Sequence, residues 1–170
     1  MHYGKIKNFD IANGPGVRVS LFVSGCRNRC PGCFQPETWS FTYGEEFTLG
    51  TLLELDSMLD NPNITGLSIL GGDPFELENR ATVELICEYI KWNRPDKTIW
   101  VWTGYDFLED GLIDLPVMNY IDVLIDGRFE EDKKDLRLKW RGSYNQRIID
   151  VKESVKRRCA IRYREEEKSE

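Results

Sequence analysis

Three cysteines within eight residues constrain this chain more than any other feature. They are Cys26, Cys30 and Cys33, spaced C-x3-C-x2-C within Cys26-Arg27-Asn28-Arg29-Cys30-Pro31-Gly32-Cys33-Phe34. Thiolates held that close can grip one soft metal centre together. Steps of four and three would also place them on one face of a helix. Pro31 and Gly32 argue against a helix, since proline breaks its interior and glycine weakens it. The stretch is expected to be a loop wrapped around a ligand, with Gly32 letting the backbone come close. A structural zinc site wants four ligands. Here the fourth would come from Cys87, Cys159, His2 or a distant carboxylate. A cubane iron–sulfur cluster is also usually held by four thiolates. With three, one iron stays open, as a catalytic metal keeps an open position. Spacing alone leaves a redox cluster with one reactive corner, an incomplete zinc site, or three thiols without a metal.

The remaining chain alternates strand-like and helix-like text. Val17 to Val23 is β-rich and stops at Ser24-Gly25, so the cysteine loop leaves the carboxyl end of a strand. Phe34 to Glu46 reads as irregular. Thr48 to Asp60 carries Leu at 49, 52, 53, 55 and 59, a helical spacing with Thr48 as N-cap. Ile64 to Leu70 is a second strand, running into Gly71-Gly72. Leu77 to Trp92 is a second helix, Thr98 to Trp102 a third strand, Ile121 to Ile125 a fourth, and Ile148 to Val151 an edge strand. Tyr105 to Asp110 reads as one helical turn or more. This alternation predicts an α/β fold with a mostly parallel sheet. Ligands then bind at the carboxyl ends of the strands. Cys26, Gly71, Thr103 and Asp126 each lie just after one.

Composition narrows the class. The 170 residues suit one domain with a real core, and 41% are hydrophobic. Against 29 acidic residues stand 23 basic ones, a formal charge of −6 that does not suggest nucleic-acid binding. No apolar run approaches the ~20 residues that span a bilayer. The opening Met1-His2-Tyr3-Gly4-Lys5 has no signal-peptide core. A cytoplasmic protein is expected. Five cysteines, three of them clustered, do not form a disulfide framework.

Further segments accompany the cysteine loop in a fixed order. Asn13-Gly14-Pro15-Gly16-Val17-Arg18 leads into Leu21-Phe22-Val23-Ser24-Gly25-Cys26. Then come Gly71-Gly72-Asp73-Pro74, Ile99-Trp100-Val101-Trp102-Thr103-Gly104-Tyr105, Asp126-Gly127-Arg128-Phe129 and Trp140-Arg141-Gly142-Ser143-Tyr144-Asn145-Gln146-Arg147. The loop resembles that of radical S-adenosylmethionine (SAM) enzymes. The ordered set, from about Tyr3 to about Arg147, resembles the activases of anaerobic (class III) ribonucleotide reductase. Gly32 departs from the wider superfamily, where an aromatic often precedes the third cysteine; here Phe34 follows it, as in the activases.

The resemblance implies a partial, open (β/α) barrel over residues 1–150; residues 151–170, beyond the match, read from their alternating charge as a charged extension, partly disordered or helical. The resemblance also implies that Cys26, Cys30 and Cys33 ligate a [4Fe-4S] cluster. SAM contacts fall to Gly32, Cys33, Phe34, Gly71, Gly72, Asp73, Thr103 and Asp126. The implied partners are the large reductase subunit, which carries the glycyl radical, and a low-potential donor such as flavodoxin. An activase for another glycyl-radical enzyme, of the pyruvate formate-lyase type, and a non-catalytic zinc or iron–sulfur binding module are the alternatives.

Several positions also have plainer readings. Asp73 with Pro74 and Glu76 could form a capping box on the following helix. Asp126 before glycine is a turn signal. Trp100 and Trp102 suit core packing, with Thr103 and Tyr105 better placed for a pocket. Cys87 reads as a small buried residue and Cys159 as a free thiol. Lys133, Lys134, Arg137, Lys139, Arg141 and Arg147 form either a solvated surface or a docking surface.

Overall fold

The computed structural model describes residues 1–164, and its frame is one seven-stranded sheet. The strands are β1 (His2–Asp10), β2 (Val17–Val23), β3 (Glu45–Glu46), β4 (Ile64–Gly71), β5 (Thr98–Trp102), β6 (Val123–Asp126) and β7 (Arg147–Asp150). Their spatial order is β3-β1-β2-β4-β5-β6-β7, open at both ends. The expectation of a mostly parallel sheet needs correcting. The run β2-β4-β5-β6 is parallel, but β1 pairs antiparallel with both β2 and β3, and β7 pairs antiparallel with β6. The sheet is therefore mixed and not closed. The physical reason lies in the connections. Helical crossovers join only the central strands, while β1 runs into β2 through a short turn.

Three helices follow the sheet: α1 (Leu49–Leu59), α2 (Leu77–Asn93) and α3 (Val151–Arg157). Thr48 caps α1 as expected, its hydroxyl accepting from the Thr51 amide. Tyr105 to Asp110 forms turns rather than a helix. Because side chains alternate across a strand, the two sheet faces differ. Val19, Leu21, Val23, Leu67, Ile69, Ile99, Val101 and Leu124 share one core cluster with Leu52, Leu55, Leu59, Val83, Ile86 and Ile90 of the helices. The other face carries Trp100, Val123 and Ile125 with Trp102, Trp140 and Tyr163.

That second face also holds Arg18, which is fully buried. Its guanidinium donates to Ser68 Oγ at 2.7 Å, Thr98 Oγ1 at 3.0 Å, Leu67 O at 2.8 Å and Thr98 O at 2.9 Å. The plane lies 5.5 Å from the Trp100 ring. Burial pulls its pKa down to about 10. Ser68 passes the chain of bonds on, donating to Asn13 O at 2.6 Å. Gly14 beside it must be small, since a Cβ there would sit 2.8 Å from Arg18 Cδ. The motif from Asn13 to Arg18 is thus a loop laid over one buried cation.

Asp10 fixes the other side of that loop. Burial works against its charge, but the Lys7 ammonium at 2.8 Å, Ser20 Oγ at 2.7 Å, the Ala12 amide at 3.1 Å and Asn13 Nδ2 at 2.5 Å outweigh it. Its carboxyl is held well below the usual carboxylate range. A depressed acid stabilises the fold above its unfolded pKa and loses that contribution as pH falls toward the folded value. Urea unfolding from pH 7 downward is therefore expected to show a stability loss setting in below about pH 4. Asp10→Asn should flatten that acid limb and cost about 1–3 kcal/mol at pH 7. An unchanged limb in the variant would assign the acid sensitivity elsewhere.

Candidate functional site

A cavity of about 600 Å³ opens where β2, β4, β5 and β6 end. Phe22, Leu70 and Trp102 form its floor, and Ala12 and Asn13 approach from the loop over Arg18. Cys26, Cys30 and Cys33 all line it, together with Asn28 and Phe34. All three thiols are half-buried and free, and the Cys33 amide closes a turn onto Cys30 O at 3.1 Å. Burial first, then the charge of Asp73, pushes the Cys26 thiol up to about 11. The free thiol therefore keeps its proton, and metal uptake must displace it.

Gly71, Gly72, Asp73, Thr103 and Gly104 line the same cavity. Gly72 is where backbone approaches backbone. A Cβ there would stand 2.6 Å from Gly25 O and 2.9 Å from Thr38 O. The Asp73 side chain has a different task from the capping box that the sequence suggests. The helix begins at Leu77, and the Asp73 carboxylate accepts from four donors. These are the Phe75 amide at 3.0 Å, Thr103 Oγ1 at 2.8 Å, the Gly104 amide at 2.8 Å and Asn28 Nδ2 at 3.1 Å. Despite these donors, burial pushes its pKa up to about 6. Asp73 and Thr103 thus bond each other and tie the ends of β4 and β5 to the cysteine loop.

The structure does not bring every expected residue to the cavity. Asp126 is buried beside it, but the lining residue is Gly127. The Asp126 carboxylate accepts from the Phe107 amide at 2.9 Å and pairs with Arg147, whose Nη2 also reaches Asp106 at 2.7 Å. Gly32 sits on the outer side of its turn, facing the Glu131 side chain, and does not line the cavity. Tyr105 does not line it either. Trp100 is core, as expected, while Trp102 serves both roles and donates Nε1–H to Trp140 O at 2.7 Å.

The segment from Gly127 to Arg147 folds back over the cavity, and Leu136, Leu138, Trp140, Arg141 and Gln146 add to its wall. Its base is closed by Gln146 Nε2 on Gly127 O at 3.0 Å and Asn145 Nδ2 on Arg128 O at 2.7 Å. Several of its cations are used internally. Lys133 pairs with Glu130 at 2.5 Å, Arg137 with Asp135 at 2.7 Å, and Lys134 lies 4.8 Å over the Phe34 ring.

The donor set can be compared with the ligands the sequence suggests. Among the described residues no three His, Cys, Asp or Glu side chains close on a point as a single ion would require. The thiols share a cavity wall without converging. A four-iron cluster takes thiolate ligands, and the cysteine loop brings three thiols to one cavity wall. Among the described residues the cavity offers no free fourth ligand. Asp73 is taken by four donors, and Asp135 is held by Arg137 and by Tyr144 Oη at 2.7 Å. Cys87 lies in the helix-side core, and Cys159 is exposed. The three thiols therefore fit a cluster with one open corner.

A family model for a 4Fe-4S single cluster domain matches residues 12–149. An anaerobic ribonucleoside-triphosphate reductase-activating protein of Enterobacteria phage T4 is 43% identical over 148 residues, covering 87% of this chain and 93% of its own. The protein of that description from Escherichia coli K12 is 41% identical over 148 residues, covering 86% and 96%. That from Vibrio cholerae is 41% identical over 150 residues, covering 87% and 97%. The chain belongs to this activating-protein family. Membership accounts for the ordered motifs, which the fold gathers around one cavity. Among the described residues no helix is long and apolar enough to cross a membrane.

Four residues beside the cavity were given no site role by the sequence. Arg27, Asn28, Glu76 and Asn79 tie the cysteine loop to the turn after β4. Asn79 Nδ2, fully buried, donates to Ser24 O at 3.0 Å and Asp73 O at 2.9 Å. Its only signal was a polar residue on the inward side of an otherwise apolar helical face.

Proposed function

We propose that this protein is a radical SAM activase that reductively cleaves SAM and generates a glycyl radical on anaerobic ribonucleoside-triphosphate reductase. One observation carries the reading. Three thiols from one loop and the backbone of Gly72 face a single cavity at the ends of parallel strands. When bound, a [4Fe-4S] cluster supplies one electron and an open iron for the methionine end of SAM.

The chain's own residues bind, orient and exclude. Cys26, Cys30 and Cys33 hold the cluster. Gly71 and Gly72 offer main-chain polar groups, and Gly72 owes its place to the absence of a Cβ. Asp73 and Thr103 hold the strand ends so that those groups stay aimed. Phe34 and Trp102 offer ring surface to the adenosyl part, and the 127–147 segment keeps water from the cavity. No proton transfer by a side chain is needed. The reductase's glycine segment enters at the rim, where Phe34 and Leu136 are exposed. A low-potential carrier such as flavodoxin supplies the electron. The relatives' description as reductase-activating proteins favours the reductase over other glycyl-radical partners.

The test is anaerobic. Reconstituted protein with SAM should release 5′-deoxyadenosine with dithionite and little without it. Adding the reductase should then produce a glycyl radical signal in electron paramagnetic resonance. Equal nucleoside yields with and without reductant would remove electron transfer as the trigger.

A further inference from the structure

The cysteine loop is gripped by a residue that the sequence offers only as part of a capping box. Glu76 is buried, only 2% exposed, in the turn between β4 and α2. One carboxylate oxygen accepts from the Arg27 amide at 2.6 Å, and the other from Arg27 Nη1 at 2.6 Å. Arg27 is the residue after Cys26. Its guanidinium lies 4.4 Å from the Phe41 ring, and its outer edge meets the exposed Glu78 at 2.5 Å. Glu76 stands at the N-cap of α2, yet its side chain makes no capping bond there. Its two bonds go to the loop instead. Charged acceptors in buried sites bind roughly twice as strongly as neutral ones.

We propose that Glu76 is a positioning residue that sets where Cys26 stands, by holding both the main chain and the guanidinium of Arg27. Asp73, three residues earlier, holds the next loop residue through Asn28 at 3.1 Å. One turn thus carries Gly72 on the cavity wall and grips two consecutive residues of the cysteine loop. A single short piece of backbone sets how the cysteine loop stands relative to Gly72, and would set the spacing of whatever the two hold. The Glu76 carboxylate is bonded to the residue next to Cys26, which puts its charge beside the cysteine loop. This role rests on the reading of Cys26 as a cluster ligand.

The test uses the full chain with Glu76→Gln, Glu76→Ala and Arg27→Gln, and Glu78→Gln as the control. The first readout needs no cluster. The Cys26 amide donates to Trp39 O at 3.2 Å, not to Glu76, so its hydrogen exchange reports the loop rather than the altered bond. Exchange at Cys26 and Arg27 should quicken about tenfold in Glu76→Ala, the factor carried by one charge-assisted hydrogen bond. Glu78→Gln should leave it unchanged, since an exposed pair contributes little. The second readout is the midpoint potential of the reconstituted cluster. Removing a nearby negative charge should raise it in Glu76→Gln and leave it in place in Glu78→Gln. Should Glu76 variants fail to fold, Arg27→Gln carries the test, because its side chain is 56% exposed and it keeps the main-chain bond. Wild-type exchange and potential in folded variants would overturn the proposal. A wild-type protein that binds no cluster would instead overturn the activase reading, and the exchange arm would still judge Glu76.

Discussion

Cys26→Ser, Cys30→Ser and Cys33→Ser should each lose the cluster, or hold it unstably, and with it nearly all reductive cleavage of SAM. Serine nearly preserves the size of cysteine but is a poor ligand for a soft metal centre. The three positions share one cavity wall with no spare ligand beside them, so none has a substitute. Cys87→Ser should keep both iron and activity. Cys87 is fully buried against the helix side of the sheet, away from the cavity. A hydroxyl there costs about 1–3 kcal/mol unless it finds a partner. Cys159→Ser, at an exposed site, should match wild type. Bound iron and 5′-deoxyadenosine yield decide the outcome. If Cys87 or Cys159 proved as necessary for iron as the loop cysteines, the cluster would have four protein ligands and no corner for SAM.

Arg18→Leu should give a large loss of stability. Among the described residues the side chain has no carboxylate within salt-bridge distance, and its donors serve two backbone carbonyls and the three hydroxyls of Ser68, Thr98 and Thr65. Leucine would fill much of the space and strand those acceptors. Each buried polar group left unsatisfied costs about 1–3 kcal/mol, so a loss on the order of 3 kcal/mol is expected. Arg18→Lys should recover little of it, since one ammonium cannot spread over the acceptors that a planar guanidinium reaches. Urea unfolding measures the loss. SAM affinity should fall as well, because Ser68 connects Arg18 to Asn13 on the cavity wall. A loss under ~1 kcal/mol for the leucine variant would show that water or a shifted strand satisfies these groups.

The strand ends were legible because each β-rich run stops at glycine or a small polar residue. β2, β4 and β5 appear within a residue of where those runs place them. β1 left no such trace. It is an outer strand with mostly exposed or half-exposed side chains, so its text His2-Tyr3-Gly4-Lys5 lacks the apolar run that marks a buried strand. Missing β1 and β3 is what made the sheet read as mostly parallel. The site was legible where chemistry is local, as in the cysteine spacing. It was not where a side chain answers to a distant partner. Asp73 meets Thr103 and Gly104, and Asp126 meets Arg147. A capping box and a turn signal are readings from near neighbours alone, and those carboxylates are occupied by residues about twenty to thirty positions away, pairings that local propensity cannot encode.

The chain does not stop where the family match ends at residue 149. Val151 of α3 is fully buried, and the Glu165-Glu166-Glu167 end of the charged stretch lies outside the described residues. Between them the backbone returns to the sheet. Ile149 bridges Arg162, and Tyr163 sets its ring 5.2 Å from Trp100 at a steep angle. Trp100 in turn lies 5.0 Å from Trp140, which walls the cavity. A protease that nicked the chain after Asp150 would spare every residue lining the cavity. It would still uncover the back of Trp100 and loosen the wall from behind. The smallest transplantable version of this site is therefore set by its buttress, at Tyr163, and not by the last residue that faces a ligand.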